Sequence, residues 1–357
     1  MKHRSIALAL GLAFLGSSAP SLAIADDPAR AVAAAAAQKL EASYVYPARA
    51  HEAGDLLRRN AVAGAYDGLR ENALAKRVTD DLSGVLHDKH VRLRYSAEVN
   101  PPAKASGNGP SAAEAAEQAR FDRSVGYGLG RLAHLPGNIG YVDLRYFLGS
   151  AREMATVFDG AASAVAYSDA VVLDLRRNHG GDPKVVARFL SHFLAPKTHL
   201  NDFVARGDGA AKIAESTYTQ DVPGPRITAP LYVLTSAETF SGGEECAYDL
   251  QALKRGTLVG AVTGGGANPG DVRRIDDHFS IFVPDMRAQN PITKTNWEGA
   301  GVKPDVAVDR ERALATAYAA ALDARLRDAS LDADQRGALR GLRGKLDTLT
   351  DAEILAL

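Results

Sequence analysis

A chain of 357 residues is long enough for one large domain with a smaller one beside it, and for a substantial buried core. Its 46% hydrophobic and 24% charged content is that of a folded globular protein and excludes a disordered or fibrous one. The net charge of −1, with no Lys/Arg run, excludes a field that would recruit nucleic acid or an anionic membrane; neither is an expected partner.

The N-terminus reads as a targeting segment. Lys2 and Arg4 precede the apolar stretch Ile6 to Leu15, and small residues lead to A-x-A-type cuts after Ala23 or Ala25. Residues 1–25 are therefore expected to be a cleavable signal peptide, and the mature protein to be periplasmic or secreted. The apolar stretch is too short to span a bilayer, and no Cys near the cut offers a lipid anchor. The single cysteine, Cys246, has no internal partner and reads as a small buried core thiol.

From Pro28 to about Leu86, apolar residues recur at spacings of three and four, through Leu40, Tyr44, Leu56, Leu57, Leu74, Val78 and Leu82. This predicts a small helical bundle over 26–95, closed by a short strand at Val91–Tyr95. Residues 96–124 are rich in Pro, Ala, Gly, Ser and Glu and read as a linker or short helical segment. Over 125–310 the pattern changes. Strands are expected at Ile139–Leu144, Ala170–Leu175, Leu231–Thr235, Thr257–Gly260 and Ser280–Val283. Helices are expected at 150–166, Pro183–Leu194 and Gly242–Leu253. The βαβαβ alternation predicts an α/β domain on a mixed, partly parallel sheet. From Glu311 to Leu357 the chain reads as a charged helical tail.

Two segments carry chemistry. In the first, an apolar strand stops at Thr235, a Ser/Thr-rich turn follows, and Ser241 stands at the start of a helix. A helix N-terminus favours developing negative charge, and its free N–H groups can bind an oxyanion. Gly242 and Gly243 permit close approach of a substrate backbone. The competing reading is that Ser241 is simply an N-cap. In the second, Asn178-His-Gly-Gly-Asp182 turns at the C-terminal end of the 170–175 strand, where ligands collect in open α/β sheets. A glycine N–H there would be a second oxyanion donor.

Six blocks in order then carry a family resemblance. They are Leu86-His-Asp-Lys-His90, Leu135-Pro-Gly-Asn-Ile-Gly-Tyr141, Val172 to Gly181, the Ser241 block, Leu258 to Gly266, and Asn296-Trp-Glu-Gly-Ala-Gly-Val-Lys-Pro-Asp305. Over residues 30–308 the chain resembles the tail-specific, or carboxyl-terminal processing, serine proteases. It is most similar to the branch of the tricorn core and interphotoreceptor retinoid-binding protein. The resemblance implies a ClpP/crotonase-like core and a nucleophile at Ser241, three residues before Glu244. Gly266 takes the place of the lysine base that many members use. The branch's histidine maps to His90 and its orienting acid to Glu298; the serine it carries before that histidine is here Lys89. Neutral imidazole is a suitable base for a serine, and a carboxylate on its other nitrogen fixes the tautomer.

The reading that follows is a serine peptidase acting through an acyl-enzyme. Gly242 with Gly180 or Gly181 would form the oxyanion hole, and His179 is a candidate substrate contact. No cofactor is expected. Asp88 and the flanking histidines suggest a metal site, but no third ligand stands at a plausible spacing, so none is assigned. The interval 96–126 is too short for the PDZ module of many relatives. A peptide or protein is the expected partner, and oligomerisation is left open. An apolar-ligand carrier on the same fold and an esterase are the alternatives.

Overall fold

The computed structural model describes residues 27–100, 112–148, 151–207 and 211–357. The expected signal peptide, 1–25, lies outside them. Three helices come first: α1 (Pro28–Ser43), α2 (Pro47–Val62) and α3 (Glu71–Leu86). Proline opens α1 and α2, where its missing N–H costs nothing, and Asp27 caps α1 by accepting from the Ala29 N–H at 2.9 Å. β1 (Arg92–Tyr95) and α4 (Ala112–Ser124) follow. Next come β2 (Leu129–Leu135), β3 (Ile139–Leu144), α5 (Ala151–Val165), β4 (Ala170–Asp174) and α6 (Pro183–Leu190). β5 (His199–Ala205), β6 (Lys212–Tyr218), β7 (Leu231–Thr235), α7 (Gly242–Ala252) and β8 (Thr257–Gly260) continue the chain. β9 (Gly270–Arg274), β10 (Phe279–Pro284), β11 (Met286–Gln289) and β12 (Val306–Ala307) precede α8 (Ala313–Arg325), α9 (Ala333–Arg343) and α10 (Asp351–Ile354).

The central sheet has the order β12-β8-β7-β4-β3-β2, parallel throughout except for the antiparallel β2–β3 pair. The expected mixed, partly parallel α/β core is thus present, and all but one of its strand pairs are parallel. Side chains of β4 alternate between two hydrophobic clusters. Val171 and Leu173 pack with Phe158, Phe189 and Leu250, while Ala170 and Val172 pack with Leu314, Tyr318 and Leu322 of α8. The sheet is therefore covered on both faces, and the tail from Glu311 packs on one of them.

Some local readings differ. The strand expected at 280–283 stays out of the central sheet; as β10 it pairs with β1 and β9, and this small sheet shares a core with the three N-terminal helices. The helix from Pro183 ends at Leu190 rather than 194. There the Ser191 hydroxyl donates to the Ala187 carbonyl and accepts from the Gln220 N–H, tying the chain into a turn. The sheet β11-β5-β6 had no expected counterpart, because the largely exposed β6 carries no apolar stripe.

One buried ion pair joins the tail to the sheet. Arg176 donates to both oxygens of Asp174, at 3.0 and 2.6 Å, and to Asp351 at 2.7 Å and the Arg310 carbonyl at 2.8 Å. Asp174 also accepts from the Tyr141 hydroxyl at 2.7 Å. Arg176→Ala would strand a buried carboxylate, and a loss of about 3–5 kcal/mol is expected in urea denaturation.

Candidate active site

β4 and β7 are adjacent and parallel, so the loops leaving their C-terminal ends meet. Two hydroxyl contacts stitch them together. The Ser236 hydroxyl donates to the Arg176 carbonyl at 2.5 Å, and the Thr239 hydroxyl to the Leu175 carbonyl at 2.7 Å. The Thr239 oxygen also accepts from the Ser236 N–H at 3.0 Å. Asn178 completes the join: its carbonyl accepts the Phe240 N–H at 2.9 Å and its side chain donates to the Leu144 carbonyl at 3.0 Å.

This scaffold places Ser241 at the N-cap of α7 with φ 53° and ψ −121°, a conformation that costs a non-glycine residue energy and is held by its surroundings. Glu244 is one such restraint. It is fully buried and accepts from the Ser241 N–H at 2.9 Å, the Thr263 hydroxyl at 2.5 Å, and the Gly265 and Gly266 N–H groups at 2.6 and 2.8 Å. Burial raises its pKa, and these donors oppose the rise.

The glycine loop lies against this turn. Gly180, at φ 91°, packs so tightly that a methyl group on it would sit 2.7 Å from Ser241 Cβ. Its own N–H donates to Asn178 Oδ1 at 2.9 Å, the Asp182 N–H goes to the Phe147 carbonyl, and the Gly243 N–H to the Phe240 carbonyl. The amides of Gly181 and Gly242 lie between these engaged groups and close to one another: a methyl on Gly242 would be 3.1 Å from the Gly181 nitrogen. Of the two glycines considered from sequence, Gly181 is the one with its N–H outside these bonds.

His90 arrives from the N-terminal helical region. α3 stops at His87, which is left-handed at φ 53°, and the turn through Asp88 and Lys89 aims His90 at the Ser241 loop. Its ring centroid is 4.6 Å from that of Phe240 and 5.9 Å from that of Phe282. A methyl on Gly266 would lie 2.7 Å from His90 Cε1 and 2.4 Å from Phe240 Cζ. The bare Gly266, standing where the resemblance placed a lysine, is thus what makes room for the imidazole.

Neither His90 nitrogen has a hydrogen-bond partner, so no bond joins it to Ser241 here. Nδ1 is 3.5 Å from Asp88 Oδ1. Asp88, only 2% exposed, accepts from the His90 N–H at 3.0 Å, Asn268 Nδ2 at 3.0 Å and the Tyr44 hydroxyl at 3.1 Å. Glu298 accepts the Ala267 N–H at 2.6 Å through Oε2, while Oε1 is buried without a partner. One donor atom from each of Asp88, His90 and Glu298 lies within 4.8 Å of the other two. Space thus supplies the third ligand that sequence spacing lacked, and the trio is able to hold a divalent cation as well as a proton.

The two carboxyl groups are pushed apart. Burial raises Asp88, but its contacts with His90 and Asn268 outweigh that and hold it below the usual 3.8. Burial, and then the charge of Asp88, push Glu298 from 4.5 up to about 8. A raised carboxyl keeps its proton when folded and loses it when unfolded. Its contribution to stability therefore falls as pH rises from about 4.5 to 8. Glu298→Gln is expected to show a smaller decline in denaturant midpoint over that interval than the wild type.

A small cleft of about 30 Å³ opens at Ser241, lined by Gly181, Gly242, Glu245, Phe203, Trp297 and their neighbours. Trp297 is 2% exposed and donates to the Gly266 carbonyl at 2.7 Å, so it packs and lines the cleft at once. Exposed His179 lies tilted against Tyr146, with ring centroids 5.5 Å apart, and is not among the residues lining this cleft. Lys89 donates to the Gly264 carbonyl at 2.6 Å instead of supplying a hydroxyl. Cys246 is buried, as expected. The sequence suggested Asp88 only as part of an unassigned metal site, not as a partner of the His90 base, and did not single out Glu245; the paired acids in the first turn of α7 were the available signal for the latter.

Residues 138–308 match peptidase family S41. The fold is similar to that of the photosystem II D1 C-terminal processing protease, at 17% identity and a TM-score of 0.50, covering 79% of this chain and 94% of that one. It is also similar to a protein from Parabacteroides merdae assigned as a peptidase, at 18% and 0.56, covering 79% and 90%. Mature CPAF complexed with lactacystin matches at 11% and 0.53, covering 89% and 99%. At these identities the structural likenesses establish the fold alone.

Proposed function

We propose that this chain, which belongs to peptidase family S41 through its 138–308 domain and is a serine peptidase, cleaves peptide bonds through an acyl-enzyme on Ser241. The observation that carries the reading is the strained Ser241 at the start of α7, with the Gly181 and Gly242 amides beside it and His90 against the preceding Phe240. Ser241 Oγ attacks the peptide carbonyl as His90 takes its proton. The developing oxyanion accepts from the Gly181 and Gly242 N–H groups, aided by the α7 dipole. His90 passes its proton to the leaving amine. It then activates the water that hydrolyses the ester and returns Ser241.

Asp88 and Glu298 serve the imidazole. The ionised Asp88 carboxylate stabilises the imidazolium, and the neighbouring Glu298 stands as the second acid. The hydrogen bond from Ser241 to His90 forms when substrate enters, as catalytic contacts often tighten only in the complex. Residues 1–25 would direct export and be removed. No described helix is long and apolar enough to cross a membrane, which is compatible with that destination. Proteolytic mapping of the mature N-terminus checks it, with Asp27 close behind the expected cuts.

The deciding experiment is intact-mass spectrometry after a fluorophosphonate. Ser241 Oγ bonds phosphorus and fluoride departs, leaving one adduct that maps to the Ser241 peptide. A folded, processed protein that gains no mass would end the proposal of an activated serine.

A further inference from the structure

One residue lining the Ser241 cleft, Glu245, has no part in the acyl transfer described above. One helical turn after Ser241 on α7, its side chain shares the face of the nucleophile, and the residue is only 3% exposed. Buried carboxyl groups are normally well supplied with donors. Here the supply goes elsewhere. Asn201 Nδ2 lies 2.9 and 3.0 Å from the two oxygens of Asp249, and Asn290 Nδ2 lies 3.1 Å from one of them. Glu245 Oε1 receives only the 3.4 Å remainder from Asn201, at the outer limit of a hydrogen bond.

We propose that this cleft is the subsite for the side chain of the residue whose carbonyl Ser241 attacks, and that Glu245 selects a short side chain bearing a hydrogen-bond donor there, serine foremost. The inference rests on Ser241 being the nucleophile. With the carbonyl carbon at Ser241 Oγ and its oxygen at the Gly181 and Gly242 amides, the adjoining side chain enters the space those residues border. Phe203, Trp297 and Glu245 line it together. A volume of about 30 Å³ accommodates one or two water-sized groups, such as a hydroxymethyl, and not a leucine or lysine side chain.

The chemistry of Glu245 agrees. Burial, opposed by Asn201 and assisted by Asp182, pushes Glu245 up to about 8, so near neutrality it both donates and accepts. A hydroxyl does the same and pairs with it in either state. An aspartate side chain would bring a third acid against the buried Glu245 and Asp249 and is disfavoured.

The test measures kcat/KM on peptides identical except at that one residue, which is Ser, Ala, Leu, Lys or Asp. Serine is expected to exceed alanine by about tenfold, with the other three below both. Glu245→Met, similar in volume and without the carboxyl, should bring the serine-to-alanine ratio close to one, and Glu245→Gln should restore part of it. A wild type that prefers Lys or Leu overturns the proposal even if the Met variant does not fold. So does a ratio that is the same in all three proteins. Fluorophosphonate labelling separates the two levels: unlabelled wild type removes the nucleophile and the subsite together, whereas labelled enzyme indifferent to Glu245 removes the subsite alone.

Discussion

Ser241→Ala is expected to lower kcat/KM by at least about 10⁴-fold and to abolish the fluorophosphonate adduct, with a stability loss of no more than about 1 kcal/mol. The two readings of this serine predict opposite results. If it were only an N-cap, its removal would cost helix stability and leave turnover nearly intact. As a nucleophile it has no substitute, because the oxyanion amides and the base remain without an atom to activate. The backbone supports the second reading. A cap needs only ordinary extended φ and ψ, whereas Ser241 is held at φ 53° by Glu244 on one side and the Gly180 contact on the other. Activity and thermal unfolding measured on the same preparation distinguish the cases directly.

The parts of this site legible in the sequence are those set by local rules. Val171 and Leu173, with Leu231 and Val233, announced buried strands, and the Gly-Gly turn and the Ser-Gly-Gly helix start followed at their ends. Parallel pairing then brings the two turns together without further information. His90 is another matter. It comes from a turn after α3, more than a hundred residues upstream, and composition or periodicity alone gives it no more weight than His87. Its register in a family pattern was the only signal, and the structure supplies the physical reason it fits: Gly266 vacates the volume the ring occupies. The role of Asp88 beside His90, and Glu245 altogether, escaped the sequence for a related reason. An acid in a sequence reads as surface, and only the packing of β5 over α7, or of Asn268 and Tyr44 around Asp88, reveals that these two are buried. The paired strand β10 shows the same limit from the fold side. Its apolar pattern foretold a strand, but not that it would join β1 beneath the helices rather than the central sheet.

Asp88→Asn is expected to reduce kcat/KM by about 10³–10⁴-fold, chiefly through kcat, and to cost more than Glu298→Gln. A histidine acting as base needs a charge beside it when it becomes an imidazolium. At neutral pH Asp88 is ionised, held below 3.8 by His90 and Asn268, while Glu298 keeps its proton up to about 8. Asp88 is also the nearer group to Nδ1, at 3.5 Å. Neither acid lines the cleft, so KM should move little in either variant. The pH profile carries the sharper distinction. Part of the rise in Glu298 comes from the charge of Asp88, so Asp88→Asn lets Glu298 ionise at lower pH. The residual activity of that variant should therefore climb with pH as Glu298 becomes the charge beside His90, and adding Glu298→Gln should flatten the climb. A merely structural Asp88 would instead lower activity by the same factor at every pH, in step with lost stability. If Glu298→Gln proves the more damaging change and Asp88→Asn is mild, the order is reversed: Glu298 alone orients His90, and Asp88 does no more than hold the turn between α3 and β1.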